Sequence, residues 1–308
     1  MKRREFMSVA ATIAFVPTPV NDPYKDAEYV QGLADRLVDA HHLHGGVPLA
    51  ATALRHVRKV KEAIGGEGHG LKVAASNLAR SASLALWDAQ QVENADHVGR
   101  MALVLARRAN YVEGISHCFE NLCVFTTLRD PVRAAHYAQS GLRSPGVTPE
   151  HEARLNARLG VALSWRTGGP GANAGASRTA IDRARAIDGL PPVANAVIAA
   201  NAALSLASLR RYAEADAAFA AALGGFGDNP LLHATWLTQR IKASLRAGAY
   251  PAAADQAGRL AAVAPLVDSA RLDRHLAEIT TMIGPRSEVP ELREARDRLR
   301  AVMPSRPA

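Results

Sequence analysis

Every forty residues or so, this sequence repeats one pattern: a residue that starts a helix, followed three positions later by alanine. Tyr212 is the clearest case, because Ala215, Phe219 and Ala222 follow it at helical intervals. Successive starts lie 44, 39, 42, 39 and 38 residues apart, and a further start at Pro290 adds an interval of 40. A fixed period of this length indicates stacked copies of one supersecondary unit. The six starts, each with its alanine, are Pro48 with Ala51, Val92 with Ala95, Pro131 with Ala134, Asn173 with Ala176, Tyr212 with Ala215 and Tyr250 with Ala253.

Breaks rich in glycine, proline or asparagine divide each unit into two segments in which apolar residues recur at intervals of three and four. No long run alternates with a period of two, so no strands are predicted. A small residue early in the second helix of a pair is typical of the tetratricopeptide repeat. We therefore predict an all-α fold, a tetratricopeptide-like right-handed superhelix (α-solenoid) of about six helix pairs plus a C-terminal capping helix. Residues 1–25 are predicted as an N-terminal segment and linker, 26–303 as the repeat domain and 304–308 as a disordered tail.

Composition excludes several classes of protein. Hydrophobic residues make up 48% and charged residues 21%, which is typical of a globular chain. Two cysteines are too few for a disulfide framework or a four-cysteine zinc site. No apolar run reaches the roughly 18 residues that a membrane-spanning helix needs, so no membrane partner is predicted.

The net charge of +8 raises the alternative of a direct nucleic-acid-binding surface. Many arginines, however, lie beside acidic residues, as in the segment from Arg293 to Arg298. Alternating charges of this kind are typical of a solvated helix face. The surface interpretation is therefore preferred, and direct nucleic-acid binding is kept as an alternative.

The N-terminus suggests a second alternative. Arg3-Arg4-Glu5-Phe6-Met7 resembles the twin-arginine export signal, and a short apolar run from Ser8 to Val16 follows it. No small-x-small cleavage site comes next, and the following residues, Pro17 to Pro23, form a polar connector rich in proline. A cytoplasmic location is therefore predicted, with an exported scaffold protein as the alternative.

Three stretches resemble the repeat half of actinobacterial transcriptional regulators that join a helix-turn-helix to a degenerate tetratricopeptide array. They are Lys2–Met7 with its apolar run, Gly99–Ala109, and Ser269–Leu272 together with Leu276 and Val289–Leu292. The resemblance runs from residue 1 to about residue 303. It implies a regulatory protein without catalytic residues, or a regulator whose true start lies upstream of Met1. The DNA-binding half of the family precedes a segment like Lys2–Met7 and has no counterpart in this sequence, so DNA binding is not expected from this chain.

Residues with catalytic or metal-binding chemistry form no enzyme motif. His41, His42 and His44 are interpreted as a polar helix end rather than a metal site, because only Asp39 lies near them as a further ligand. Cys118 and Cys123 are predicted to be buried free thiols. The glycine-rich stretch from Gly168 to Gly175 lacks the Lys-Ser/Thr of a phosphate loop and is interpreted as a turn. No enzyme activity, cofactor or metal is therefore predicted.

Binding remains as the predicted function. In tetratricopeptide arrays the first helix of each pair lines the groove, where amides grip a peptide backbone and cations hold a carboxylate. Trp87 and Trp165 are predicted to fill gaps between repeats. We expect a peptide or protein ligand on the concave face, with action through a separate DNA-binding regulator or a homodimer. The predicted groove residues are Asn77, Arg80, Arg158, Asn201, Gln239 and Lys242.

Overall fold

The computed structural model describes residues 22–65, 68–165 and 173–303. The Arg-Arg segment, residues 168–172 of the glycine-rich stretch and the predicted tail at 304–308 lie outside the described residues. Within them the regular structure is helical throughout, without strands. None of these helices is long and apolar enough to span a bilayer. The helices are α1 Ala27–His44, α2 Ala50–Ala63, α3 His69–Asp88, α4 Val92–Arg108, α5 Val112–Thr126, α6 Pro131–Leu142, α7 Pro149–Ser164, α8 Ala174–Arg185, α9 Pro192–Ser208, α10 Tyr212–Gly225, α11 Pro230–Ala247, α12 Tyr250–Val263, α13 Ala270–Ile283 and α14 Pro290–Val302.

These helices form seven consecutive units of two, and the predicted all-α, tetratricopeptide-like solenoid is confirmed. We call the odd-numbered helices the first helices and the even-numbered ones the second helices. Each first helix packs against the first helix of the next unit, from α1 to α13. From the second unit on, each second helix also packs against its own first helix, whereas α2 packs against α3. The start predicted at Pro290 opens α14, so the array ends in a complete pair, α13 and α14, rather than in a single capping helix.

The predicted starts mark the second helices. Five of them, Val92, Pro131, Tyr212, Tyr250 and Pro290, are the first residues of α4, α6, α10, α12 and α14. Their helices pack closely because small side chains allow it: Ala95, Ala134, Ala215 and Ala253 are all buried.

In two units the prediction chose the wrong residue for the buried position of the second helix. Helix α2 begins at Ala50, two residues after Pro48, and α8 begins at Ala174, one residue after Asn173. Ala51 and Ala176 are therefore exposed, and Ala53 and Ser177 occupy the buried position. The Ser177 hydroxyl donates a hydrogen bond of 2.8 Å to the carbonyl oxygen of Gly160, which satisfies its polar group at this helix contact.

Local sequence signals explain where the helices begin. The side chains of Asp26, Asp130, Thr148, Asn229 and Ser269 each accept a hydrogen bond from a backbone N–H in the first turn that follows. These N-caps satisfy donors that would otherwise have no partner in the helix. Several of the same helices also carry proline at the start, where its missing N–H costs nothing.

The two ends of the array meet. Asp88, at the end of α3, is fully buried, and one carboxylate oxygen accepts from the Gly46 N–H at 2.8 Å. The other accepts from the Ser269 hydroxyl at 2.7 Å and from Arg271 Nε at 3.2 Å. We call this contact the seam. It joins the first two units to α13 in the last unit, so the solenoid closes on itself.

Backbone bonds and ring packing extend the seam. The Asp268 N–H donates to the His44 carbonyl at 2.8 Å, and the Val47 N–H donates to the Asp268 carbonyl at 3.1 Å. The guanidinium of Arg271 lies 4.3 Å from the centre of the Trp87 ring, a cation–π contact. Trp87 also packs 5.7 Å from Phe125. It therefore fills a junction between units, as predicted for it from the sequence.

Candidate functional site

All six residues predicted to line a groove lie on first helices. Asn77 and Arg80 are on α3, Arg158 on α7, Asn201 on α9, and Gln239 and Lys242 on α11. The structure brings them together in two groups, one around α5 to α9 and one between α11 and α13, with Asn77 and Arg80 beside the first. Their role in binding a ligand stays a prediction.

The central group is a buried ion-pair network centred on Glu120 of α5. Arg154 Nε donates to one Glu120 oxygen at 2.8 Å and Arg154 Nη2 donates to the other at 3.1 Å. Arg158 Nη2 lies 3.6 Å from the same carboxylate, and its Nη1 donates to Asn201 Oδ1 at 2.8 Å. Three consecutive first helices, α5, α7 and α9, are thus linked through polar side chains on one surface.

The ionised state of this network follows from its geometry. Burial alone raises the pKa of the Glu120 carboxyl, but the guanidinium groups of Arg154 and Arg158 outweigh burial and lower that pKa to about 2. The bidentate pairing with Arg154 fixes the orientation of both side chains. Asn201 is fully buried and donates its amide hydrogen back to the Val197 carbonyl, so its side chain supports Arg158 rather than facing an open groove.

The second group lies between α11 and α13. Lys242 is 5% exposed, and its ammonium donates to Glu278 and lies 2.8 Å from Nδ1 of His275. Gln239 Nε2 lies 3.4 Å from the other ring nitrogen of His275. Burial lowers the pKa of His275, and the nearby Lys242 lowers it further. The imidazole is therefore neutral, and it contacts two of the predicted residues.

Asn77 and Arg80 lie on α3, in the second unit. They belong to the surface formed by the first helices, which we call the inner face. The Asn77 side chain donates to Gln31 Oε1 on α1 at 2.9 Å. Arg80 lies close enough to His117 of α5 to lower the pKa of that imidazole, after burial, which brings it to about 3. The Nε of Arg80 is buried and has no hydrogen-bond partner among the residues that the structure describes.

Several partners of these residues were missed by the sequence reasoning. Glu120, Arg154 and His275 hold the predicted residues in place but carry no motif of their own. Glu120 follows Phe119 and precedes Asn121, and nothing in that local pattern marks it as buried. A signal does exist in the repeat period: Glu120, Arg158 and Asn201 are spaced by 38 and 43 residues, the spacing of successive units.

The histidines at the end of α1 do not gather as metal ligands in the described structure. His41 is buried and its Nε2 lies 3.9 Å from Asp88 at the seam. Burial lowers the pKa of His41 to about 4. A different group, Glu113, His117 and His151, has ligand atoms within 4.8 Å of one another. Sequence reasoning missed this group because its members come from two units.

The two thiols are buried and free, as predicted. Burial raises the pKa of both Cys118 and Cys123 to about 12, so neither supplies a thiolate near neutral pH. His117 lies next to Cys118 in the chain, but adjacent residues of a helix point apart. The pair is therefore unsuited to nucleophilic catalysis.

Comparisons with known proteins add one structural likeness. No family model and no curated protein matches the sequence. Among solved structures, the chain is similar to the TPR2AB domain of yeast Sti1 in a complex with pHSP90, at 16% identity over 89% of this chain and 98% of that one. The TM-score is 0.29, and the fold described above rests on this chain's own helices.

Proposed function

We propose that this chain is a non-enzymatic regulatory repeat protein that binds a peptide or a protein segment on the face formed by its first helices. The observation that supports it is a row of polar side chains on three consecutive first helices, in which three donors have no hydrogen-bond partner among the described residues: Arg80 Nε, Asn121 Nδ2 and Arg158 Nε. An unsatisfied donor of this kind costs about 1–3 kcal/mol, so a ligand on this face gains a hydrogen bond if a side-chain movement brings the donor to the surface.

The chemistry of these donors favours a ligand that offers oxygen atoms. Guanidinium groups hold carboxylates, and an amide donor grips a backbone carbonyl. An extended peptide supplies both kinds of acceptor at regular spacing. Arg80 is the residue to test first, because its Nε has no partner among the described residues. Asn77 comes next, because its side-chain bond to Gln31 lies at the edge of the array. Arg158 and Asn201, in contrast, are engaged with each other.

Regulation through a partner is the finer part of the proposal. The protein acts in the cytoplasm, through a separate DNA-binding regulator or as a homodimer, and the bound peptide or protein changes that association. The exported scaffold suggested by Arg3 and Arg4 stays an alternative prediction. The nucleic-acid alternative is less favoured, because many arginines form ion pairs within the described structure, among them Arg154, Arg240 and Arg271.

Selection of a random peptide library on the immobilised full-length chain tests binding, followed by calorimetry with the selected peptides. We expect Asn77→Ala and Arg80→Gln each to weaken binding by about tenfold, as loss of one charge-assisted or amide hydrogen bond does. Arg259→Gln on α12, whose side chain is 67% exposed, serves as the matched control and leaves affinity unchanged. Failure to select any peptide, or equal affinity for all three variants, contradicts the proposal.

A further inference from the structure

The starts of α5 and α7 bring three metal-ligating side chains to one place. Glu113 and His117 lie one turn apart on α5, and His151 lies in the first turn of α7. One ligand atom from each residue falls within 4.8 Å of the other two. The two imidazoles meet edge to face, with ring centres 4.0 Å apart.

The sequence positions these residues through helical spacing and a cap. Residues four apart on a helix share a face, so Glu113 and His117 point the same way from α5. Thr148 is the N-cap of α7, and its hydroxyl accepts from the His151 backbone N–H at 3.3 Å and lies 2.8 Å from His151 Nδ1. With Nδ1 donating to Thr148, the lone pair of His151 lies on Nε2.

His151 Nε2 is the second, independent observation. The residue is 3% exposed, and this nitrogen is buried with no hydrogen-bond partner in the part of the chain that the structure describes. Metal-ligating histidines commonly use one ring nitrogen for the metal and the other for a hydrogen bond that orients the ring. Thr148 lies at hydrogen-bond distance from Nδ1, which leaves Nε2 for a metal, and the His151 ring contacts the His117 ring of α5.

We propose that Glu113, His117 and His151 bind one divalent transition-metal ion of the zinc class. Two imidazoles and a carboxylate are a ligand set that zinc takes in proteins, with the fourth position open to water. Zinc–ligand bonds of about 2.0–2.1 Å place tetrahedral ligand atoms about 3.4 Å apart. Because Glu113 is exposed, its side chain can rotate to close the remaining distance.

The charges around the group permit a cation. Glu113 and Glu120 of α5 and Glu150 of α7 act on these histidines as anions, whereas Arg80 of α3 and Arg154 act as cations. Arg154 is already neutralised by Glu120 and Glu150. A bound ion would cross-link the third and fourth units at one rim of the solenoid.

Titration of the chelator-treated full-length chain with Zn²⁺ alone, by calorimetry, tests this site. We expect one ion per chain, a rise in the melting temperature on binding, and visible absorption typical of tetrahedral coordination when Co²⁺ replaces Zn²⁺. Glu113→Gln and His117→Gln should weaken binding by about 100-fold or more, since each removes a ligand.

A control and a second variant keep the result interpretable. His97→Gln changes an exposed histidine of α4 and should leave the affinity unchanged. Glu113 is exposed, so its replacement should preserve the fold, which circular dichroism checks, even if a change at buried His151 does not. Absence of one-to-one binding, or unchanged affinity in Glu113→Gln and His117→Gln, overturns the proposal.

Discussion

Glu120 shows how a single buried charge can organise the inner face. It is 2% exposed, and its carboxylate is held by two guanidinium groups from the next first helix. A buried ion pair of this kind adds little net stability compared with a well-packed apolar core. Removal of one partner is nonetheless costly, because the remaining charges are left without compensation. The network therefore fixes the relative position of α5 and α7 more than it strengthens the core.

Replacement of Glu120 by glutamine should lower the free energy of unfolding at pH 7 by about 3 kcal/mol, because Arg154 and Arg158 lose their counter-charge. The native protein should also lose this contribution in acid. The pKa of Glu120 falls from an ordinary value of 4.5 to about 2 on folding, so its stabilising effect is complete above pH 4.5 and disappears towards pH 2. Urea unfolding of both proteins at pH 7, 4 and 3 measures the difference.

Glu93→Gln is the matched control for this experiment. The Glu93 side chain is 87% exposed and pairs with Arg129 at 3.6 Å, an exposed contact worth about 0–1 kcal/mol. A Glu120→Gln protein that is as stable as the native one at pH 7, with the same acid response, would show that the carboxylate is not ionised in the folded state.

The helices themselves were largely predictable, because the turn residues, the capping residues and the spacing of apolar residues all indicated the same helix boundaries. Proline, glycine and capping residues marked the breaks, and alanine at the third position marked the second helices of four units. Units one and four were misplaced by one or two residues, since Ala51 and Ala176 are common residues in an alanine-rich chain. A shift of one residue turns a side chain by about 100° around the helix, so burial could not be read reliably there.

Contacts between distant units were beyond the sequence. Asp88 and Ser269 lie 181 residues apart, and no local pattern links them. The partners of Lys242 and Arg158 lie in neighbouring units, but no local motif marks them as buried, although the helix that carries each was correct. Periodicity predicts which face of a helix is apolar. It does not predict how far the array curves, and that curvature decides which polar residues meet.

The turn between α1 and α2 packs tightly against the end of α3. A Cβ atom added to Gly46 would lie 2.2 Å from the Ala85 carbonyl oxygen and 2.9 Å from the Asp88 Cβ, and the first of these neighbours is backbone. We therefore expect Gly46→Ala to destabilise the protein by about 3 kcal/mol or more, the range of strongly overpacked sites. The melting temperatures of the native protein and the variant measure this loss of stability.

Gly65→Ala provides the comparison for Gly46, because no atom of the described residues lies within 4 Å of the position that its Cβ would take. It should change stability by less than about 1 kcal/mol. If the two alanine variants melt at the same temperature, the turn does not pack against the end of α3 in solution.

At the scale of the whole molecule, the seam turns an open array into a closed one. Repeat solenoids usually contact only their neighbours, and their stability is then close to a sum of local terms. Here Asp88 and Arg271 join units from the two ends, with His41, Trp87 and Thr235 around them. Closure couples the first units of the array to the last one, so unfolding should be more cooperative than in an open array of the same length.

Asp88→Asn tests closure directly. The amide keeps the shape of the carboxylate but removes the charge that compensates Arg271, and its NH₂ group meets the donors of Gly46 or Ser269. We expect a loss of about 3 kcal/mol in the free energy of unfolding, together with a larger radius of gyration at unchanged helix content. Small-angle X-ray scattering and circular dichroism measure the two quantities.

Asp255→Asn, whose side chain is 63% exposed, controls for the change of charge and should scatter like the native protein. If Asp88→Asn unfolds altogether, Ser269→Ala removes one hydrogen bond of the seam and should expand the molecule more mildly. Native dimensions in both seam variants would mean that the ends are held by their apolar packing alone and that the buried carboxylate does not control closure.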